Sequence, residues 1–127
     1  AYKDRMKFRL AETYLLLAEA YLRQDMPDKA ADAVNEVRRR AKVSDVSDEE
    51  MTMDFLLDER IRELYGEESR RFTLIRTGKL LERVRKYNPE ARDLIQDFHV
   101  LWPIPQAIRD ANVGNFPQNP GYEGYEG

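Results

Sequence analysis

The densest group of chemistry-bearing residues is Glu59, Arg60, Glu63, Glu67, Arg70 and Arg76. Two carboxylates set across a cleft can serve as general acid and base in glycoside hydrolysis. The same residues have a simpler use. Asp58 and Glu59 stand four and three positions before Arg62, spacings at which side chains on a helix meet as ion pairs. Where helices pack, a bidentate Arg–carboxylate pair satisfies charge that is partly out of water. The favoured reading is a structural charge network, with no catalytic residue and no ligand-binding residue assigned. A carboxylate glycosidase is the minor alternative.

Other candidates carry less chemistry. Arg38, Arg39, Arg40 and Lys42 close a predicted helix, where cations suit the negative end of the helix dipole. A docking or anion-binding patch is the second reading. Trp102, Tyr122 and Tyr125 are the aromatics that could stack on a sugar ring. Trp102 is expected to pack against the helices, because tryptophan is highly buried on average. Tyr122 is expected to fold back on the helices, and Tyr125 to be exposed. His99 is the single histidine and cysteine is absent, which excludes disulfides, thiolate metal sites and any site needing two His. No Gly-rich phosphate loop occurs. No metal or cofactor is expected.

Helical patterns position these residues. Ala11, Tyr14, Leu15, Ala18, Tyr21 and Leu22 follow helical spacing in a first helix from about Asp4 to Gln24. Its remaining surface is also apolar, which suits burial on more than one side. Pro27 suits the first turn of a second helix, Pro27 to Lys42. So short a turn makes the pair antiparallel. Asn35, a poor helix former in mid-helix, is expected to hydrogen-bond a neighbouring loop. Ser47 and Glu50 have capping-box spacing ahead of a third helix, about Asp48 to Tyr65. Further helices are predicted at about Glu68–Thr77, closed by Gly78, and Lys79–Tyr87. Five of six prolines lie from Pro89 onward, so the remainder should be extended or turn-like, with one helical turn near Gln106–Ala111 and a short extended stretch at Phe98–Trp102.

The chain has 127 residues, with 24 acids against 21 Lys plus Arg, a formal charge of −3. Residues 1–44 carry +3 and residues 45–127 carry −6. A mildly acidic chain lacks the electrostatic footprint of a nucleic-acid binder. No apolar run approaches the roughly 20 residues of a membrane helix, and no signal-peptide h-region is present. The chain starts without Met and enters helical pattern almost at once, which suggests a piece of a longer protein.

Ala11, Tyr14, Ala18 and Tyr21, then Ala30 and Ala33, resemble a tetratricopeptide hairpin, and no second copy appears at a period of 34. A stand-alone tetratricopeptide-like protein–protein adaptor is one reading. Four ordered blocks point further. They are Arg9-Leu10-Ala11-Glu12-Thr13-Tyr14-Leu15 with Ala18-Glu19-Ala20; Lys29-Ala30 with Asn35-Glu36-Val37-Arg38-Arg39-Arg40-Ala41; Leu57-Asp58-Glu59-Arg60 with Arg62-Glu63-Leu64, Glu67, Arg70, Phe72, Leu74, Arg76 and Gly78; and Leu101-Trp102-Pro103-Ile104-Pro105-Gln106, closing with Gln118-Asn119-Pro120-Gly121-Tyr122. Together these resemble the C-terminal part of the SusD/RagB family of outer-membrane nutrient-binding lipoproteins.

That resemblance implies an all-α fold: a tetratricopeptide-like hairpin, further packed helices and an extended Pro-rich C-terminal segment. Residues 1–122 would be a fragment of a larger domain, and 123–127 a flexible tail. It also implies capture of glycans or other nutrients on the extracellular face of the outer membrane, without catalysis. The partner would be a SusC-like TonB-dependent transporter. Membrane attachment would come only through a lipid anchor that this sequence does not contain. The family's ligand residues lie mainly outside the matched part, so none is transferred.

Overall fold

The computed structural model describes residues 8–126. Among them are six α-helices, one 3-10 turn and no strand, so the fold is all-α. The chain divides into two compact units, one ending at Glu68 and the other starting at Ser69.

The first unit holds α1 (Leu10–Leu22), α2 (Pro27–Arg40) and α3 (Met53–Glu63). Residues 4–7 of the expected first helix lie outside the described residues. Arg9 is extended (φ −143°, ψ 161°), so α1 begins at Leu10. Ala11 and Ala18 of α1 are buried with Ala30 and Ala33 of α2. Small side chains let two helix axes come close, which is what the tetratricopeptide-like spacing supplies. Leu15, Val34 and Leu56 are fully buried in this core, each stabilising by about 1.5–3 kcal/mol through removal of apolar surface from water. Val46 and Met51 of the α2–α3 loop complete it. Leu10, Leu16 and Leu17 stay exposed, so α1 buries one face rather than two.

The start of α3 departs from the sequence expectation. Ser47 and Glu50 do exchange the reciprocal bonds of a capping box, at 3.3 Å each. They close a turn before Met51, however, and the helix starts after Thr52, whose hydroxyl accepts from the Phe55 N–H at 3.1 Å. A good cap five residues too early is consumed by the loop.

Three helices end in the same way. Met26 N–H reaches the Tyr21 carbonyl, Val43 N–H that of Arg38, and Lys79 N–H that of Leu74, each with a second bond nested inside. This is the Schellman arrangement, which needs one left-handed residue. Those residues are Asp25 (φ +58°), Lys42 (φ +58°) and Gly78 (φ +70°). Only glycine adopts that conformation without steric cost. Lys42→Gly should therefore raise the unfolding free energy by about 0.5–1 kcal/mol, and Gly78→Ala lower it by about as much. Urea titrations of the two variants check this; a loss of stability in Lys42→Gly would contradict it.

The second unit holds α4 (Arg70–Arg76), α5 (Leu80–Tyr87), the 3-10 turn Asp97–Val100 and α6 (Gln106–Asp110). The predicted extended stretch at Phe98–Trp102 is wrong over its first half. His99 Nδ1 accepts from the Gln96 N–H at 2.8 Å, and Gln96 and His99 close the 3-10 turn reciprocally. His99 thus carries a structural bond. Extended backbone resumes at Leu101.

The last block folds back on this turn. Gln118 is buried and brackets Ile104, accepting from its N–H at 2.7 Å and donating to its carbonyl at 2.9 Å. Asn119 Nδ2 donates to the Trp102 carbonyl at 2.7 Å, and the Tyr122 hydroxyl to the Leu101 carbonyl at 2.8 Å. Gly121 is left-handed (φ +84°), and a Cβ there would collide with the Phe98 ring. Tyr122 meets Phe98 edge-on, with ring centroids 5.0 Å apart. Tyr122 therefore packs on the 3-10 turn.

Candidate functional site

The charged residues singled out from the sequence sort into distinct places. Glu59, Arg60, Glu63 and Glu67 belong to the first unit, and Arg70 and Arg76 to α4 of the second. Within the first unit they form three clusters, two of them completed by arginines that the sequence did not single out for this role.

Arg9, the residue before α1, reaches 54 and 58 positions along the chain. Its Nη1 meets Glu63 Oε1 at 2.5 Å, and its Nε and Nη2 grip the Glu67 carboxylate at 2.5 and 3.1 Å. Arg40, in the last turn of α2, adds a 2.6 Å bond to the same Glu63 oxygen. The two acids hold the Arg9 guanidinium further above its ordinary value, Glu67 most strongly. The bond from Arg9 holds the Glu67 carboxyl below the usual glutamate value.

In the second cluster Glu59 Oε2 accepts from Arg38 at 2.8 Å and from Arg62 at 2.6 Å. Both guanidinium groups lie over the Phe55 ring, 5.5 and 5.8 Å from its centroid. Arg38 also donates to the Ser44 carbonyl at 2.7 Å, holding the loop that follows α2. The third cluster is the most buried. Arg60, 1% exposed, bonds Glu68 through Nε at 2.9 Å and Nη2 at 2.6 Å, with Glu12 of α1 3.9 Å away. Its Nη1 is buried without a hydrogen-bond partner.

Arg38, Arg39 and Arg40 are thus each committed to a different acid, Arg39 to Asp45 at 2.6 Å. Signals for this were present in the run of three arginines, but their partners lie 6, 21 and 23 residues away. A glycosidase acid must have its carboxyl raised to hold a proton. Glu67 is pushed the opposite way, and Glu59 and Glu63 each accept from two arginines. Chemically, the arrangement ties α1, α2 and α3 together.

Two shallow grooves run along the outer side of the hairpin. One, of about 230 Å³, lies between Leu10, Tyr14 and Val37 and is edged by Arg9 and Arg40. The next, of about 260 Å³, lies between Tyr14, Leu17 and Tyr21 beside Lys29 and Asp32. Among the described residues no cluster of three or more His, Asp or Glu could hold a metal ion, and no helix is long and apolar enough to cross a membrane. Trp102, expected to be packed, is 59% exposed. Its ring is covered on one side by Arg71, whose guanidinium carbon lies 4.3 Å from the centroid. Burial of this tryptophan could not have been read from its type. Tyr125 is 49% exposed, as expected.

The sequence has relatives among known proteins. The profile of the SusD family matches residues 2–122. A SusD-like protein of Formosa agariphila is 36% identical over 113 residues, which is 80% of this chain and 21% of that protein. The starch-binding protein SusD of Bacteroides thetaiotaomicron is 35% identical over 125 residues, 91% of this chain and 21% of that protein. A second SusD-like protein of Formosa agariphila is 32% identical over 108 residues, 76% of this chain and 20% of that protein. The chain therefore spans about a fifth of the length of each relative. No solved structure gives a significant match. The ion pairs join the first three of the sequence blocks singled out above: Arg9 and Glu12 from the first, Arg38 and Arg40 from the second, Glu59, Arg60, Glu63 and Glu67 from the third. With its sequence matched from residue 2 to residue 122, the chain belongs to the SusD family.

Proposed function

We propose that this chain is part of a longer nutrient-capture protein on the extracellular face of a bacterial outer membrane, that residues 1–122 are a piece of its larger domain, and that residues 123–127 form a flexible tail. The nutrient is a glycan, and the partner is a SusC-like TonB-dependent transporter. The whole protein reaches the membrane through a lipid anchor and binds its ligand without transforming it.

One observation carries this reading: a relative named for starch binding is 35% identical across 91% of this chain. The role of this segment is scaffolding. Its ion pairs hold three helices in fixed register, and its outer apolar grooves along α1 provide surface for neighbouring parts of the assembly.

The test is made on the whole protein that carries the chain. Calorimetry against a panel of soluble oligosaccharides should show saturable binding with no release of smaller sugars. Membrane fractionation should recover the protein with a TonB-dependent transporter. Turnover of any of the sugars, or a whole protein found only in the cytosol, would overturn the proposal.

A further inference from the structure

Trp102 is the only tryptophan of the chain, and the second unit holds it in an unusual way. Arg71 of α4 lies against one face of the ring, and its Nη2 also donates to the His99 carbonyl. The ring and that carbonyl fix the guanidinium, whose Nε is buried without a hydrogen-bond partner. The backbone around the ring is fixed as well. Leu101 accepts from Tyr122, Trp102 accepts from Asn119, and Ile104 is bracketed by Gln118. A ring with one face against a cation and 59% of its residue surface in water must turn its other face and edge outward.

Large aromatic surface left in water is costly, and rigid presentation removes the entropy that a ligand would otherwise have to freeze. The open face selects its occupant. A cation already sits on one side of the π-system, so a second cation on the other side is disfavoured. That argues against a lysine or arginine of a protein partner. A pyranose ring offers a flat apolar C–H face with hydroxyls around its rim, and it brings no positive charge. Leu101 and Pro103, its neighbours in the chain, are exposed as well and add apolar surface.

We propose that Trp102, braced by Arg71, is a stacking platform for the C–H face of a pyranose in a neutral oligosaccharide. This rests on the glycan-capture reading and gives it a contact within this chain. None of the ion-pair clusters of the first unit takes part.

The single tryptophan makes the test direct. The chain is titrated with maltoheptaose, cellohexaose and mannohexaose while tryptophan emission is followed, with calorimetry in parallel. Stacking should shift the emission to shorter wavelength saturably with at least one sugar. Trp102→Ala should weaken that sugar's binding by about tenfold or more, about 1.4 kcal/mol, while Trp102→Phe, which keeps a ring, retains part of it. The helical circular dichroism of both variants should match the parent, because Trp102 takes part in the bonds that fix this segment through its backbone carbonyl and not through its side chain.

No emission change with any of the three sugars overturns the proposal, and so does binding that Trp102→Ala leaves unaltered. The same substitution in the whole protein separates the two readings. Undiminished glycan binding there removes the platform and keeps glycan capture; a whole protein that binds no glycan removes both.

Discussion

Arg60→Ala should lower the unfolding free energy by about 3–5 kcal/mol, the cost of removing one partner from a buried ion pair. Arg60 is the largest fully buried side chain among the described residues, and its Glu68 partner has a side chain only 6% exposed. Two bonds at 2.6–2.9 Å join them, and Glu12 brings α1 to within 3.9 Å. Deleting the guanidinium leaves the Glu68 carboxylate out of water with both of those bonds gone, and it opens a cavity where a long side chain stood. The net worth of the pair is smaller than this cost, because desolvating two charges offsets most of their attraction. Arg60 also leaves Nη1 buried and unbonded, which itself costs on the order of 1–3 kcal/mol. Replacing both partners, Arg60→Met with Glu68→Leu, should therefore cost less than Arg60→Ala alone. Urea unfolding followed by helical circular dichroism gives both numbers, with an unchanged slope expected. A loss below about 1 kcal/mol in Arg60→Ala would mean that water reaches this pair.

How far the sequence spoke for itself differs from element to element. The hairpin was legible because three local signals agree: the Ala spacing, the short turn and Pro27 at the first position of α2. The end of α4 was legible because Gly78 takes the left-handed conformation expected of it. Asp25 and Lys42 make the same turn without the glycine that would have announced it. The start of α3 was set too early because Ser47 and Glu50 satisfy each other inside a loop, and spacing alone does not say whether a helix follows. The turn at Asp97–Val100 was missed for a related reason: Gln96 and His99 do the same work with residues outside the usual capping pair. The division between Glu68 and Ser69 left no signal in composition or turn chemistry.

At the candidate site, the acids were visible and their partners were not. Helical spacing reveals neighbours three or four residues apart, such as Glu59 and Arg62. Arg9 with Glu63 and Glu67, and Arg38 with Glu59, are tertiary pairs that no periodicity encodes. Trp102 shows the same limit from the other side. Its type argues for burial, and only the fold places one face against Arg71 and leaves the other to water.

Asn35→Leu should cost about 2–4 kcal/mol, although it exchanges a poor helix former for a good one. Asn35 sits in the middle of α2 and is buried. Its Oδ1 accepts from the Val46 N–H at 2.8 Å, and its Nδ2 donates to the Val46 carbonyl at 3.0 Å. One side chain thus satisfies both backbone groups of a buried loop residue, where neither a helix nor a strand could do so. Leucine gains about half a kcal/mol of helix propensity and leaves two buried polar groups unmatched, at about 1–3 kcal/mol each; the second effect wins. Asn35→Asp should not rescue stability, because a carboxylate has no hydrogen to give and sets a negative oxygen against the Val46 carbonyl. The consequence reaches the charge network. Ser44, two residues before Val46, accepts from Arg38, which holds Glu59; loosening the loop should free that arginine. Hydrogen exchange would show this as lost protection of the Val46 amide in Asn35→Leu, under conditions where the α1 amides stay protected. A Val46 amide that exchanges as slowly in the variant as in the parent would show that packing of Val46 and Met51, rather than Asn35, fixes the loop.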